Sequence, residues 1–414
     1  MKFIDLCCGI GGFHQALEKI GMECVLASDI NKDCRETYEK NYGLKPKGDL
    51  KDIKVETIPH FDVLCAGFPC QPFSKAGSRK GFDDNRGNIF FDICNIVKHH
   101  KPKYIIFENV RNLSTHDNGN TWKVISEEID TLGYYTYSKP VILNTLYFGI
   151  PQSRERVVIL CKRKDLGELP ILPDISKKNI KETSLKDIIE EGDVDEKYKL
   201  SGKMKVVEEV WNEFLEILYS NGVDVPKYPI WTDWWDSDGE GTNVMKYDKK
   251  KSDEENEKIV KEKQKAFYEK YKKVIDKNRD FYNDNLSILQ GWLNTSRNKS
   301  LWKGALRKFE WQAGDEKLTM KEVLWSPRGS GIRVKNINYS PTLVAMTSMI
   351  PVYGQKSRQL TPRECARLQS FPELFEINEN DKIAYKQFGN AVNVVMIERC
   401  ARFLIYDEEL FDYF

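Results

Sequence analysis

The chain has 414 residues, of which 40% are hydrophobic and 31% are charged, a composition typical of a folded globular protein rather than a disordered or fibrous one. Lysine and arginine total 64 and aspartate and glutamate 63, so no overall basic excess indicates a polyanionic partner. No apolar run approaches the ~18 residues needed to cross a bilayer. The ten cysteines suggest reduced intracellular thiols rather than a disulfide framework, so a membrane protein and a secreted scaffold are both excluded.

Short apolar runs alternate with helical patterns over the first 165 residues, which predicts a doubly wound α/β domain with a mostly parallel sheet. Strands are predicted at 2–6, 24–28, 62–66, 104–108, 135–143 and 156–161. Helices are predicted between them at 13–20, 32–41, 88–99 and 121–132. Ligands of such sheets bind at the carboxyl ends of the strands.

A glycine-rich turn follows the first predicted strand in Asp5-Leu6-Cys7-Cys8-Gly9-Ile10-Gly11-Gly12-Phe13. Glycines in such a turn let the backbone approach a ligand closely, and Asp29 at the end of the second strand is placed to accept hydrogen bonds from ribose hydroxyls. The pattern suits a cofactor that contains adenosine. A dinucleotide fingerprint would need a third glycine at position 14, where this chain has His14.

A second motif, Gly67-Phe68-Pro69-Cys70-Gln71-Pro72-Phe73-Ser74, follows the strand predicted at 62–66. Most cysteines of the chain are expected to be small buried residues, but Cys70 lies between two prolines on a loop, an arrangement that presents a side chain. The loop continues with basic and hydroxyl-bearing residues and with glycines as hinges, which predicts closure over a phosphate backbone. Those residues are Ser74, Lys75, Ser78, Arg79, Lys80 and Arg86.

Two further motifs place polar side chains at strand ends. Glu108 closes the apolar strand at 104–108, where partial desolvation would favour a carboxyl that holds and donates a proton near neutrality; an exposed strand-end glutamate is the alternative. In Gln152-Ser153-Arg154-Glu155-Arg156, strand alternation is expected to direct Arg154 and Arg156 toward one acceptor, with a surface pair as the alternative.

Residues 171–330 differ from the segments on either side. They contain long charged helical stretches at 203–219 and 254–280 and a Trp-rich segment at 228–235. Basic residues number 13 against 22 acidic ones over 171–257, and 17 against 9 over 258–330. The second half is therefore expected to face a polyanion, although a solvated helix with i,i+4 ion pairs is favoured for 254–280 itself.

The sequence becomes compact again from residue 340. Thr361-Pro362-Arg363-Glu364 predicts the start of a helix in capping-box form. Gln387-Phe388-Gly389-Asn390-Ala391-Val392 opens a final helix, predicted from about 386 to 404.

Together and in this order, these motifs resemble those of the prokaryotic C5-cytosine DNA methyltransferases. The resemblance spans nearly the whole chain except 171–330, and six motifs in register are far more specific than any one of them. It implies a Rossmann-like catalytic domain at 1–170, a smaller variable target-recognition region at 171–335, and a remainder at 336–414 whose last helix returns to the catalytic domain. The implied reaction transfers a methyl group from S-adenosylmethionine, without a metal, to C5 of a cytosine flipped out of duplex DNA.

In this family the Pro-Cys cysteine attacks C6 of cytosine, the Glu-Asn-Val glutamate protonates or hydrogen-bonds N3, and the paired arginines hold the base and the catalytic loop. The resemblance therefore implies catalytic roles for Cys70, Glu108, Arg154 and Arg156. Cofactor contacts are implied for Asp5, Leu6, Gly9, Gly11, Gly12, Asp29, Ile30, Asp49, Leu50, Phe68, Pro69, Asn390 and Val392. The family often has an aromatic residue at position 30, so Ile30 implies a smaller contact with adenine.

DNA contacts are expected from the basic loop after Cys70 and from a second group of basic residues late in the chain. This second group is Arg297, Lys299, Arg307, Arg328 and Arg333. Double-stranded DNA is the expected partner of a cytoplasmic monomer encoded by a prokaryote or phage, with a separately encoded cognate restriction endonuclease as a further candidate partner and no membrane.

Three alternatives remain open. The first is tRNA as the methyl acceptor of the same superfamily, the second a nicotinamide oxidoreductase on the same sheet, and the third a catalytically inactive binding protein. His14 argues against the oxidoreductase, which would also leave Cys70 and Glu108 without a role. The presence of every catalytic residue argues against the inactive protein.

Overall fold

A computed structural model of the chain describes residues 1–68, 89–175, 182–236 and 252–411. It contains two compact units. The first comprises Met1–Ile188, Pro341–Thr347 and Pro362–Phe414, and the second comprises Ile189–Ser340 and Ser348–Thr361. The chain therefore enters the first unit three times, and the role of the second unit in target recognition stays a prediction.

The strands and helices have the following bounds. The strands are β1 (Lys2–Leu6), β2 (Glu23–Ser28), β3 (Val63–Ala66), β4 (Tyr104–Val110), β5 (Tyr134–Tyr135), β6 (Val141–Asn144), β7 (Gln152–Ser153), β8 (Glu155–Arg163), β9 (Ile230–Trp231), β10 (Lys308–Gln312), β11 (Leu324–Arg328), β12 (Gly331–Lys335), β13 (Ser340–Pro341), β14 (Val352–Tyr353) and β15 (Arg358–Gln359). The helices are α1 (Gly12–Glu18), α2 (Lys32–Tyr42), α3 (Ile89–His100), α4 (Asn120–Thr131), α5 (Gly202–Ser220), α6 (Asp253–Asp284), α7 (Leu286–Arg297), α8 (Pro362–Leu368), α9 (Asp381–Asn390) and α10 (Val394–Tyr406).

The first unit is built on a sheet with the strand order β2-β1-β3-β4-β8-β5, in which β6 also pairs with β8. Strands β2, β1, β3 and β4 are parallel, whereas β8 runs antiparallel to β4, β5 and β6. Strand β3 is buried at every position and β1 at all but its first, as expected for strands covered on both faces. The predicted α/β fold class is confirmed.

Two predicted elements differ from the structure. The strand predicted at 135–143 is divided into β5 and β6, and Pro140, which has no backbone N–H, lies directly before β6. The final helix begins at Val394 rather than near 386, because Asn393 is its N-cap and accepts the N–H of Met396 at 3.0 Å. The residues up to Asn390 belong instead to α9.

The second unit has a six-stranded sheet in the order β15-β14-β11-β12-β10-β9, packed with α5, α6 and α7. Its core is rich in indole rings, which come from the Trp-rich segment, from the helices α5 and α7, from the turn before β10 and from the strands β10 and β11. The buried tryptophans are Trp211, Trp234, Trp235, Trp292, Trp302, Trp311 and Trp325. In α6, Ser252 and Glu255 form a capping box, and acidic residues occupy the first turn, both of which stabilise the start of a helix.

None of the described helices combines the length and the apolar character that crossing a membrane requires.

Candidate active site

The end of β4 carries a buried carboxyl group, that of Glu108. Glu108 is 7% exposed, and Arg156 on the neighbouring β8 places its Nε 3.0 Å from Glu108 Oε1. The ion pair lacks the alignment of a hydrogen bond, so Glu108 Oε1 is a buried acceptor without a hydrogen-bond donor among the described residues. Such an acceptor is satisfied when a ligand supplies an N–H.

Arg154 lies in a different environment from Arg156, although both belong to one sequence motif. It is 1% exposed; its Nη1 donates to the carbonyls of Leu343 and Gly389 at 3.2 Å each, and its Nη2 donates to the carbonyl of Ala391 at 2.8 Å. Burial, with a further contribution from nearby Arg156, lowers the pKa of Arg154 to about 9. Arg154 therefore fastens the C-terminal segments to the sheet, and the prediction that the two arginines share one acceptor is wrong.

Asn109 connects the end of β4 to the residue that precedes the Pro69-Cys70 pair. Its Nδ2 donates to the carbonyl of Phe68 at 2.8 Å, and its Oδ1 accepts the N–H of Val110 at 2.9 Å. The ring of Phe68 is buried and lies 5.4 Å from that of Phe107, centre to centre. Sequence reasoning assigned no role to Asn109, and its place directly after Glu108 was the only local signal. The geometry indicates a positioning residue for the segment that leads to Cys70.

We expect Asn109→Asp to lower kcat by about 10- to 100-fold, the equivalent of one lost buried hydrogen bond. The carboxylate still accepts the N–H of Val110, but it repels the carbonyl of Phe68 instead of donating to it. The rate of the methyl transfer that the sequence motifs imply, followed with a tritiated methyl donor, measures the effect. Asn112→Asp on the exposed turn after β4 makes the same change of charge. Equal rates for the two variants would show that Asn109 has no positioning role.

Two side chains hold the glycine turn after β1. Asp29, half-buried at the end of β2, accepts the N–H of Gly9 on Oδ2 and that of Asn31 on Oδ1, both at 2.8 Å. Tyr42 of α2 donates its hydroxyl to the carbonyl of Gly11 at 2.9 Å. Gly11 has a φ of +85°, and a Cβ there would lie 2.2 Å from the Tyr42 ring, so only glycine fits. A Cβ on Gly9 would meet no atom within 4 Å, so the turn is open on that side.

His14 stands where a dinucleotide fingerprint has its third glycine. The side chain is buried; its ring stacks on Tyr42 with centroids 3.9 Å apart, and its Nδ1 lies 2.6 Å from the hydroxyl of Tyr38. Burial lowers the pKa of His14 to about 4, so the ring is neutral at physiological pH. The rings of His14, Tyr38 and Tyr42 fill the space behind the glycine turn. The close contact between helix and strand that a third glycine would allow is therefore absent at this position.

Asp5 and Leu6, both predicted cofactor contacts, have no exposed surface. Burial raises the pKa of Asp5 well above its usual range; the backbone N–H of His14 opposes this, and the charge of Asp29 adds to it. The geometry places both residues behind the turn as its support. Direct contact of either with a cofactor stays a prediction.

The other predicted cofactor residues differ in exposure. Asn390 at the end of α9 is exposed, and Ile30, next to Asp29, is 76% exposed. Asp49 is half-buried, and its Oδ1 accepts the N–H of Lys51 at 3.0 Å. Leu50, Phe68 and Val392 are buried. Val392 packs against the turn, where a Cβ on Gly12 would lie 2.5 Å from its Cγ2.

Several predicted site residues lie outside the described part of the chain. They are Pro69, Cys70, Ser74, Lys75, Ser78, Arg79, Lys80 and Arg86. Their roles stay predictions.

The nine described cysteines are all free thiols. Burial raises the pKa of every one of them. In Cys7, within the glycine turn, burial and the charges of Asp29, Asp5 and Asp49 raise the pKa to about 12. Because only the thiolate is a good nucleophile, none of these nine is suited to attack a substrate. The described residues also contain no group of three or more histidine, cysteine or acidic side chains that could hold a metal ion.

In the second unit, four of the five basic residues predicted to contact DNA form ion pairs within that unit. The pairs are Arg297–Asp236, Lys299–Glu213, Arg307–Asp233 and Arg333–Glu310. Burial, together with Arg333, lowers the pKa of the fifth, Arg328. A cation that already faces a carboxylate gains little by neutralising a phosphate, because it must give up the first partner. DNA contact by these five residues stays a prediction.

Comparison with known proteins gives consistent matches over nearly the full length. Residues 1–405 match the profile of a family described as C-5 cytosine-specific DNA methylase. The chain is 33% identical to the Type II methyltransferase M.HhaI of Haemophilus parahaemolyticus over 401 residues, covering 97% of this chain and 93% of that protein. It is 34% identical to the Type II methyltransferase M.BanI of Aneurinibacillus aneurinilyticus, covering 96% and 94%.

Among solved structures, the fold is similar to that of Spodoptera frugiperda DNMT2. The TM-score is 0.52 at 20% sequence identity, over 97% of this chain and 98% of the other. At this identity the likeness concerns the fold alone.

Proposed function

The chain belongs to the C-5 cytosine-specific DNA methylase family, and from that premise we propose that this DNA cytosine-5 methyltransferase uses a Cys70 thiolate to methylate a flipped-out cytosine in one short duplex site. The observation that carries the mechanism is the buried Glu108–Arg156 pair, in which Glu108 Oε1 still lacks a donor. Neutral cytosine has no N–H at N3, so the carboxyl of Glu108 is proposed to give N3 its proton and then to accept the N3–H that forms.

Cys70 is proposed as the nucleophile because cytosine C5 does not attack a methyl group unaided. A thiolate that adds to C6 pushes the ring electrons toward C5 and N3 and makes C5 enamine-like. The raised pKa values of the nine described thiols support this choice by leaving none of them suited to the task. Asn109, by holding the carbonyl of Phe68, positions the segment from which Cys70 extends.

Glu108 is proposed to neutralise N3 as the thiolate adds, by donating a proton or a hydrogen bond. Arg156, next to it on β8, is proposed to bind O2 and stabilise the charge that develops on the ring. Once C5 has gained its methyl group, a base removes the C5 proton and the bond between C6 and sulfur breaks. Arg154, with its donors on three carbonyls, is a positioning residue in this scheme.

The glycine turn fits S-adenosylmethionine, which supplies an electrophilic methyl group when bound and leaves as S-adenosylhomocysteine. Asp29 keeps free lone pairs for ribose hydroxyls, while the N–H groups of Gly9 and Asn31 hold its carboxylate in place. The carboxylates that raise the pKa of Cys7 also create a negative potential at the turn, which favours a sulfonium cation. The exposed Asn390 and Ile30 are proposed to contact the same molecule.

The relatives named Type II methyltransferases suggest the biological setting. We place this enzyme in a restriction–modification system of a prokaryote or phage, acting as a cytoplasmic monomer on double-stranded DNA. A separately encoded endonuclease that cuts the same site unless it is methylated completes the system.

Incubation of the protein with mixed-sequence duplex DNA and S-adenosylmethionine, followed by bisulfite sequencing, tests the proposal. We expect protected cytosines at one short recurring site. A parallel reaction with total tRNA examines the alternative acceptor. Methyl groups found in tRNA and absent from DNA would overturn the DNA assignment.

A further inference from the structure

Helix α6 concentrates basic residues of the second unit on one stretch of the chain. Between residues 258 and 279 this helix has nine basic residues and three acidic ones. The eight lysines of this stretch are exposed, and none forms an ion pair with any residue that the structure describes. They are Lys258, Lys261, Lys263, Lys265, Lys270, Lys272, Lys273 and Lys277.

The packing of α6 keeps these lysines in solvent. Phe267 and Tyr271 turn toward Trp231, with ring centroids 5.7 and 5.5 Å away, and Asn278 donates to the carbonyl of Pro229 at 2.9 Å. This apolar side fixes the orientation of the helix within its unit. The lysines are exposed to solvent, although Lys270 and Lys277 also lie over the rings of Tyr271 and Tyr228, 5.3 and 5.7 Å from the ring centroids.

The lysines follow a regular spacing. Lys258, Lys265 and Lys272 recur every seventh residue and form one row; Lys263, Lys270 and Lys277 form a second. The stretch from Lys258 to Lys277 is about 28 Å long at 1.5 Å per residue. That length matches about eight base pairs of duplex DNA, whose phosphates present a continuous line of negative charge.

We propose that the lysine rows of α6 dock on the phosphate backbone of duplex DNA. The inference deepens the proposed function and rests on it, since it names the surface that supplies sequence-independent affinity. The proposal is consistent with the ion pairs of Arg297, Arg307 and Arg333. These arginines stabilise the unit, whereas the lysines of α6, which form no ion pair, bind the polyanion. Each lysine–phosphate contact releases a counterion and contributes about 0.9 to the dependence of log K on log salt concentration.

The test compares two triple variants of the full chain. The first carries Lys258→Gln, Lys265→Gln and Lys272→Gln. The control carries Lys203→Gln, Lys205→Gln and Lys317→Gln, three exposed lysines of the same unit away from α6. Both lose the same charge, and glutamine has nearly the helix propensity of lysine. Fluorescence anisotropy with a labelled 30-base-pair mixed-sequence duplex, from about 50 to 300 mM salt, gives the slopes.

We expect the slope of the α6 variant to fall by about 2 to 3, and its affinity at the lowest salt to fall by more than about tenfold, while the control stays near the wild type. Equal slopes for the two variants, with a wild type that methylates DNA, would overturn the α6 surface and leave the proposed function standing. A wild type that neither binds nor methylates DNA would overturn both. If the α6 variant bound phosphatidylserine vesicles more weakly but bound DNA as the wild type does, α6 would be a lipid-binding surface, and its assignment to DNA would be wrong.

Discussion

Cys70→Ser is expected to abolish methyl transfer, with a loss of at least about a thousandfold, while S-adenosylmethionine still binds. Serine has nearly the size of cysteine, but its hydroxyl stays protonated at neutral pH and does not add to C6 of the ring. The other nine cysteines do not substitute for Cys70, because burial raises the pKa of each of their thiols.

A duplex that contains 5-fluorocytosine makes this expectation specific to the covalent step. Fluorine at C5 leaves no proton for the base to remove, so the bond between sulfur and C6 persists and the protein stays attached to DNA after denaturation. We expect a shifted band for the wild type and for Cys34→Ser, a half-buried thiol of α2, and none for Cys70→Ser. An adduct of unchanged yield with Cys70→Ser would assign the nucleophile to another residue.

The second large effect concerns stability. Arg154→Leu is expected to lower the free energy of unfolding by about 3 to 5 kcal/mol, because each buried carbonyl left without a donor costs about 1 to 3 kcal/mol. The carbonyls of Leu343, Gly389 and Ala391 lose their donors inside the protein, where water does not replace them.

Urea denaturation followed by circular dichroism measures the change, and Arg111→Leu is the matched control. Arg111 is exposed and forms an ion pair with the partly exposed Glu155, which is worth at most about 1 kcal/mol. If the two variants unfolded at the same urea concentration, Arg154 would not make the contribution to stability that its hydrogen bonds indicate.

Patterns formed by residues close together in the sequence were sufficient to predict much of the fold and to identify the family. Alternating apolar runs and helical patterns predicted the parallel strands β1 to β4. The spacing of Asp29 after the first glycines placed its carboxylate at the turn, where it accepts the N–H of Gly9. These features depend on neighbours in the chain, and sequence patterns record such neighbours directly.

The features that sequence patterns did not reveal depend on residues far apart in the chain. Arg154 and Arg156 look alike in their motif, and only the carbonyls of residues 343, 389 and 391 distinguish them. In the same way, the charge count over 258–330 could not show that Arg297 pairs with Asp236, 61 residues earlier. A count of charges predicts a polyanion site only where the carboxylate partners are known as well.

The assembly of the first unit from three segments has a consequence for its synthesis. Helix α10 packs against α1, β4 and β8, yet about 200 residues separate Val394 from the end of the first segment at Ile188. A ribosome that adds roughly 5 to 20 residues per second needs about 10 to 40 s for that stretch. During this interval the nascent sheet exposes the apolar surface that α10 later covers. We therefore expect the nascent chain to be retained by chaperones until translation has passed α10.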